Sequence, residues 1–569
     1  MLDLAIRGGV VADGTGGPLR RLDVGVRGGR VVSLDATSET AERTLDASGL
    51  VVAPGFIDVH THYDAQVMWD PTLSPSSACG VTTVISGNCG FTIAPLVPSE
   101  ADYIMRMLGR VEGMPVEALA AGCGWDWSSF ADWLCRLDGN LAINAGFLVG
   151  HNTIRRVVMG EASVGEMASE GQLSEMSALL GQCLDQGALG FSTTRGASHN
   201  DHRGDPVPSR FATDGELLEL CREVGRHPGT SIGMLPTMSG YDDGVRRLMT
   251  AMAVAADRPL NWNALSVRPG PGEAANRQAR LACADDARRQ GARVVGLVLP
   301  QPMRMRLNLG SGVLYDSFPE WAATMHLPLA EKMAALRRPE VRARLRRGAA
   351  GAASPHWADW PNCVITDVAN PDLASLVGRR IGDIAAGRGA DPFDAYLDVA
   401  LDDRLGTGVE PPAPGDDDES WKQRAALWQD PRLVVGGSDA GAHLDMMQAF
   451  NGHLAVVGSA VRDRELLPLE AAVRVLTDVP ARLIGLRGRG RVAEGWHADL
   501  VVFDPDRIAA GPVEVRHDLP GGAWRLYGEA VGIEHVIVNG SVILNRGHPT
   551  GSRPGTALRS GRDTGTGGG

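Results

Sequence analysis

Lysine is almost absent from the 569 residues: Lys332 and Lys422 are the only two, and arginine supplies the rest of the 55 basic side chains. The imbalance reads as the bias of a GC-rich genome, yet it leaves few candidates for a carboxylated lysine of the kind that bridges two metals in some hydrolases. No apolar run approaches the roughly 18 residues of a membrane span. The N-terminus MLDLAIRGGVVADG has no basic segment followed by a long apolar one, so the chain reads as cytoplasmic with no membrane partner. No dense basic stretch offsets the net charge of -13, which argues against nucleic acid. A small-molecule substrate is expected. The eight cysteines (Cys79, Cys89, Cys123, Cys135, Cys183, Cys221, Cys283 and Cys363) include no C-x-x-C pair, which excludes a zinc ribbon and favours reduced thiols over a disulfide framework.

What is present is strand after strand. Residues 1–54 read as short β segments with turn signals, and the same style returns at 485–547, in ADLVVFDPDRI and HVIVNGSVILNRG. One β-sandwich built from both ends accounts for both. Between them lie eight apolar runs: GFIDV (55–59), VTTVISG (81–87), INAGFLVG (143–150), ALGFST (188–193), SIGMLP (231–236), LNWNAL (260–265), RVVGLVL (293–299) and LVVGGSD (433–439). Most are separated by stretches with helical spacing of apolar residues. The pattern predicts an α/β fold, a (β/α)8 TIM-like barrel over 55–484, whose site lies at the C-terminal ends of the strands. The long gap before the eighth run predicts an insert at about 300–432, a lid or wall over the site with a mobile acidic segment at 408–420. The Gly-, Ser- and Arg-rich residues 548–569 read as a disordered tail.

Residues two apart on a strand share a face, so His60 and His62 in VVAPGFIDVHTHYDA aim two imidazoles at one point. Cys89 follows the second run in SGNCG, His151 the third in VGHNTIRR, and Asp439 ends the eighth in GGSDAGAH. Two imidazoles and a carboxylate suit zinc with a position left open for water. Asp439 is then a ligand and general base, and His151 a candidate to touch the metal or the developing oxyanion. Arg155, Arg195 and Arg268, near strand ends, are candidates to clamp a substrate carboxylate. His199, in a polar loop, is a further candidate for substrate contact.

PGFIDVHTHYD, GNCG, GALGFSTT, GGSDAGAH and EGWHADLVVFD resemble the amidohydrolase superfamily, and GNCG and GFST its D-aminoacylase branch. The resemblance implies a metal-dependent hydrolase of a carbon-nitrogen amide bond, with an N-acyl-D-amino acid as substrate and zinc as cofactor. It implies His60 and His62 as the family's metal pair, Cys89 as its cysteine ligand and Asp439 as its catalytic aspartate. The fold it implies often self-associates, so a homo-oligomer is an option. The family also takes one histidine each from strands five and six, and here TSIGMLPTMSG and LNWNALSVRPG contain none. Met234, Asn261 and Asn263 are poor substitutes, and His227 precedes its strand. One metal on His60, His62 and Asp439, helped by Cys89 or His151, is the arrangement that remains. Another linear or cyclic amide as substrate, or a non-catalytic homologue of the fold, are the alternatives.

Overall fold

Alternation of buried and exposed residues in Leu2–Arg7 places Leu4 and Ile6 on a core face, and the same arithmetic holds at the far end of the chain, where Ile537 lies opposite Leu500. In the computed structural model, which describes residues 1–35, 39–237, 240–312, 314–351, 355–447 and 449–565, these strands make two sheets. Arg30–Ser33, Val24–Arg27, Leu2–Arg7 and Ala41–Asp46 form one, and Val10–Val11, Val51–Pro54, Leu500–Phe503, Ile533–Val538 and Ser541–Asn545 belong to the other. Leu4, Ile6, Val24 and Val26 from the first share a core with Val52, Leu500, Val502 and Ile537 from the second. Both chain ends are thus needed to bury either sheet.

Each of the eight apolar runs contains strand, and the segments pair in parallel. Phe56–Asp58 lies beside Val81–Ser86, which lies beside Asn144–Phe147. After a break at Leu148, Val149–Gly150 leads through Gly190–Thr194, Ser231–Leu235, Leu260–Leu265 and Val294–Val298 to Leu433–Val435. A parallel bridge between Thr61 and Ala440 then brings the chain after the last strand against the chain after the first. Strands covered on both faces read as continuous apolar runs, and Val81–Ser86 and Ser231–Leu235 are buried throughout. Helices return the chain between strands. Glu170–Asp185 is started by a reciprocal capping box between Ser169 and Gln172, and Asp214–Gly225 by Thr213.

The chain divides into two compact units, one of residues 1–301, 418–444 and 449–569 and the other of 302–417 and 445–448. The insert therefore ends before 432. Helix Asp418–Trp428 belongs to the first unit, because Trp421, Ala425 and Trp428 join that unit's core. The second unit has its own aromatic centre, in which Tyr315, Trp321, Trp360, Phe393 and Tyr396 pack ring against ring. Its acidic segment contributes a strand, Gly408–Glu410, and Arg304 bridges Glu410 and Asp416.

The tail departs from its composition. His548–Pro549 adds to the strand Ser541–Asn545, the Gly555 amide donates to the Leu141 carbonyl at 2.7 Å, and the Leu558 amide to the Ala145 carbonyl at 2.8 Å. Ala557 and Leu558 are buried, and Thr564 donates to the Gly229 carbonyl at 2.6 Å. A segment too poor in apolar residues to make a core of its own is ordered here by backbone bonds to a core already made. Residues 566–569 of the expected tail lie outside the described residues. Among the described residues no helix is long and apolar enough to cross a membrane.

Candidate metal centre

Thr61 turns away from its neighbours and bonds the Ile85 carbonyl and the Ser86 hydroxyl, so His60 and His62 face together on the other side. Both imidazoles are buried, with ring centroids 5.4 Å apart. Cys89 reaches them through a tight turn in which Gly87, Cys89 and Gly90 all have positive φ. Gly87 is required there, since a Cβ would lie 2.4 Å from the Leu148 carbonyl oxygen. Cys89 itself sits at φ 54°, a conformation that costs a non-glycine residue about 1 kcal/mol or more and is held by its surroundings. The turn places Sγ 3.6 Å from His60 Nε2. One ligand atom from each of His60, His62 and Cys89 then lies within 4.8 Å of the others.

Asp439 also has positive φ, and its Oδ1 stands 3.1 Å from His60 Nε2 and 3.7 Å from His62 Nε2. The loop that carries it closes on the histidines at Gly441, where a Cβ would lie 2.6 Å from the His62 carbonyl oxygen. Asp439 keeps 26% side-chain exposure against 1% and 2% for the two histidines, so the cluster is open on the aspartate side. Two further residues complete the surroundings. Glu112, buried, has Oε2 3.6 Å from His62 Nδ1, and Asn263 Nδ2 lies 3.4 Å from Cys89 Sγ.

The electrostatics match a cation site. Burial and the neighbouring His60 push His62 down to about 3, so its ring is neutral and keeps a lone pair at ordinary pH. Burial raises the Cys89 thiol well above its usual range, and the nearby Glu112 and Asp439 add to this. Burial also raises Glu112, reinforced by Asp439 and Asp64, and raises Asp64 to about 7. Burial opposes ionisation of Asp439 too, but the hydrogen bond and charge of His60, with His62 and His443, hold it below the carboxylate range. Two imidazoles, that of His62 neutral, a thiol and several buried acids within a few ångström are the donor set a divalent metal takes.

The amidohydrolase family model matches residues 43–544. The chain belongs to the amidohydrolase family. An N-acyl-D-glutamate deacylase from Alcaligenes xylosoxydans xylosoxydans is 31% identical over 580 residues, covering 98% of this chain and 96% of the relative. A solved D-aminoacylase, described as having a binuclear metal centre with one-metal activation and second-metal attenuation, is 26% identical with a TM-score of 0.65, covering 98% of this chain and 100% of that one. The N-acyl-D-glutamate deacylase of Bordetella bronchiseptica, solved with zinc and a phosphonate mimic of the tetrahedral intermediate, is 27% identical with a TM-score of 0.64 and the same coverage.

In this amidohydrolase the other expected site residues are placed differently. His151 has both nitrogens engaged: Nε2 lies 2.8 Å from Glu216 Oε1 and Nδ1 3.0 Å from Thr193 Oγ1. It begins helix His151–Met159, which carries its ring toward Phe191 and Glu216, and it has no nitrogen left for a metal or an oxyanion. Arg155, one helical turn on, is fully buried and gives Nη1 to both Glu216 oxygens at 2.6 Å. It is a structural cation rather than a substrate clamp. Arg195 is held by Asp214 and the Ala212 carbonyl, and Arg268 is exposed after the sixth strand. His199, in its polar loop, is half-buried edge-on to Phe91, with Nδ1 2.9 Å from Thr194 Oγ1. Burial and His443 push it down to about 3, with Asp439 acting in the opposite direction. His227 pairs with Asp185 and Glu223, away from the strand ends that carry the cluster.

Glu112 and His443 were not singled out in the sequence, and Asn263 was weighed there only as a poor substitute for a histidine. Asn263 lies on the sixth strand and meets the cluster as an amide donor to Cys89 Sγ.

Proposed function

We propose that this amidohydrolase cleaves the acyl amide bond of an N-acyl-D-amino acid at a centre for one divalent metal ion, with zinc the ion that its nitrogen, sulfur and oxygen donors favour. His60, His62, Cys89 and Asp439 would hold the ion, which when bound supplies the Lewis acidity that polarises a carbonyl and acidifies water. The convergence of His60, His62 and Cys89 within 4.8 Å, with Asp439 at their open side, carries the reading.

The remaining chemistry belongs to the chain. Asp439 Oδ1 faces both imidazoles, which leaves Oδ2 to accept a proton from the attacking water and return it to the leaving amine. An acid held ionised by its neighbours is ready as a base without a prior proton loss. The neutral rings of His62 and His199 offer lone pairs and add no positive charge to repel a cation. The eight parallel strands support a closed (β/α)8 barrel, the Thr61–Ala440 bridge being the join from last strand to first. The eight cysteines, all free, suit a reducing cytoplasm.

The test is metal analysis after chelator-free purification, together with hydrolysis of N-acetyl-D- and N-acetyl-L-amino acids by wild type and Asp439→Asn. About one metal per chain, turnover of the D series and a loss of at least 100-fold in kcat in the variant are expected. Less than half a metal per chain, or equal turnover in the variant, would overturn the proposal.

A further inference from the structure

Glu112 is the buried acid that the mechanism above leaves unused. It follows helix Ala101–Val111, its backbone carbonyl accepts from the His443 amide, and its side chain is 4% exposed. Among the described residues, no arginine or lysine lies within 4.0 Å of its carboxylate; the ion-pair partner it has is His62. The charged neighbours that act on it are Asp439 and Asp64, both acids. A buried carboxylate among like charges is costly, and removing its water without supplying a cation is the expensive arrangement. Something positive belongs beside it.

The geometry at His62 says how. Its Nε2 faces Asp439 Oδ1 at 3.7 Å, on the side of Cys89 and His60, and its Nδ1 faces Glu112 Oε2 at 3.6 Å. A neutral imidazole has one N–H and one lone pair. With the proton on Nδ1, toward the carboxylate, the lone pair falls on Nε2, toward the cluster. His60 has no such support, since its buried Nδ1 lacks a partner.

We propose that Glu112 is a positioning residue of the metal centre: its carboxylate takes the Nδ1–H of His62, turns the Nε2 lone pair to the metal, and supplies negative charge to balance a divalent cation. Carboxylates behind metal-bound histidines fix ring and tautomer in this way, and their loss typically lowers metal affinity 10- to 100-fold. The role is specific to this chain's ligand set. With histidines absent from strands five and six, the cluster has fewer nitrogen donors, and an acid from outside the strands takes part of the load. The proposal rests on the reading of His60, His62 and Cys89 as metal ligands.

The test uses full-length protein stripped of metal, with Zn²⁺ alone as the probe, titrated against a chromophoric chelator in wild type, Glu112→Gln and Glu112→Leu. Glu112→Gln keeps the shape and loses the charge, and should weaken Zn²⁺ binding about 10-fold or more; Glu112→Leu should weaken it further. A second readout separates positioning from packing. The thermal midpoint of the metal-free variants should equal or exceed that of the metal-free wild type, because a buried carboxyl with two acids and no cation beside it has gone, while the stabilisation gained on adding Zn²⁺ should shrink. Zn²⁺ affinity within threefold of wild type in both variants would overturn the role of Glu112 and leave the metal centre standing. Failure of the wild type itself to bind Zn²⁺ would overturn both.

Discussion

Replacing Glu216 by leucine removes the one carboxylate that serves Arg155 and His151 together. Arg155 and Glu216 have side-chain exposures of 0% and 2%, with Nη1 at 2.6 Å from each oxygen, and His151 Nε2 is 2.8 Å from Oε1. Without the acid the guanidinium keeps its bond to the Glu166 carbonyl at 2.7 Å but has no counter-charge. Breaking a buried pair from one side costs about 3–5 kcal/mol, whereas replacing both partners by apolar groups of similar size is close to neutral. Glu216→Leu should therefore lose about 3–5 kcal/mol. The double variant Arg155→Met, Glu216→Leu should lose only about 1–2 kcal/mol, mainly for the bond His151 no longer makes. Urea denaturation of the full chain followed by far-UV circular dichroism measures both. The sign with pH follows from the same contacts. Burial alone would raise the Glu216 carboxyl, but His151 and Arg155 overcome it and hold the group below its ordinary 4.5. A depressed acid stabilises the fold above its unfolded value and loses that contribution as pH falls through the folded one, so the deficit of Glu216→Leu should narrow below pH 4.5. Strictly additive single-variant costs would refute the buried-pair account. A tenfold rise of KM in a stably folded double variant would return Arg155 to the substrate.

Zinc binding by metal-free protein should release protons, because burial keeps the Cys89 thiol protonated until a cation displaces its hydrogen. Calorimetry in two buffers of different ionisation enthalpy should read about one proton per zinc near neutral pH, and affinity should rise with pH. Cys89→Ser should lower that release by about one proton, and a heat independent of buffer in the wild type would refute thiolate ligation. Truncation after residue 552 removes the buried Ala557 and Leu558 with their backbone bonds to the strand at Ala145. It should lower stability by about 2–4 kcal/mol, read as a fall in thermal midpoint with zinc content unchanged; an unchanged midpoint would mean that the segment is only draped over the surface.

The parts of the site that could be read from the chain are those fixed by local geometry. His60 and His62 follow from the two-residue period of a strand, and Cys89 and Asp439 from their places after apolar runs. His151 and Arg155 mark where such reasoning stops. A position after a strand tells which end of the sheet a residue occupies, not which way it faces, and these two lie four apart on one helix whose side chains turn to Glu216. Glu216 in turn sits three residues after Thr213, where a threonine and a glutamate commonly cap a helix reciprocally; here Thr213 accepts the Glu216 amide while the Glu216 side chain is diverted to the buried cation. Glu112 carried no local mark at all, because its burial beside His62 exists only once the chain after helix Ala101–Val111 has packed. The missing histidines are the most telling case. Strands five and six contain no histidine, but their side of the cluster is not bare. Asn263 stands on the sixth strand with its amide on Cys89 Sγ, and Glu112 brings a carboxylate to His62 from a different segment. An N–H aimed at sulfur favours thiolate over thiol, and an acid behind an imidazole strengthens it as a donor. Asn263 and Glu112 thus act on Cys89 and His62 from behind, so the few donors that meet here are each supported by a second polar group, as a cation site with two imidazoles requires.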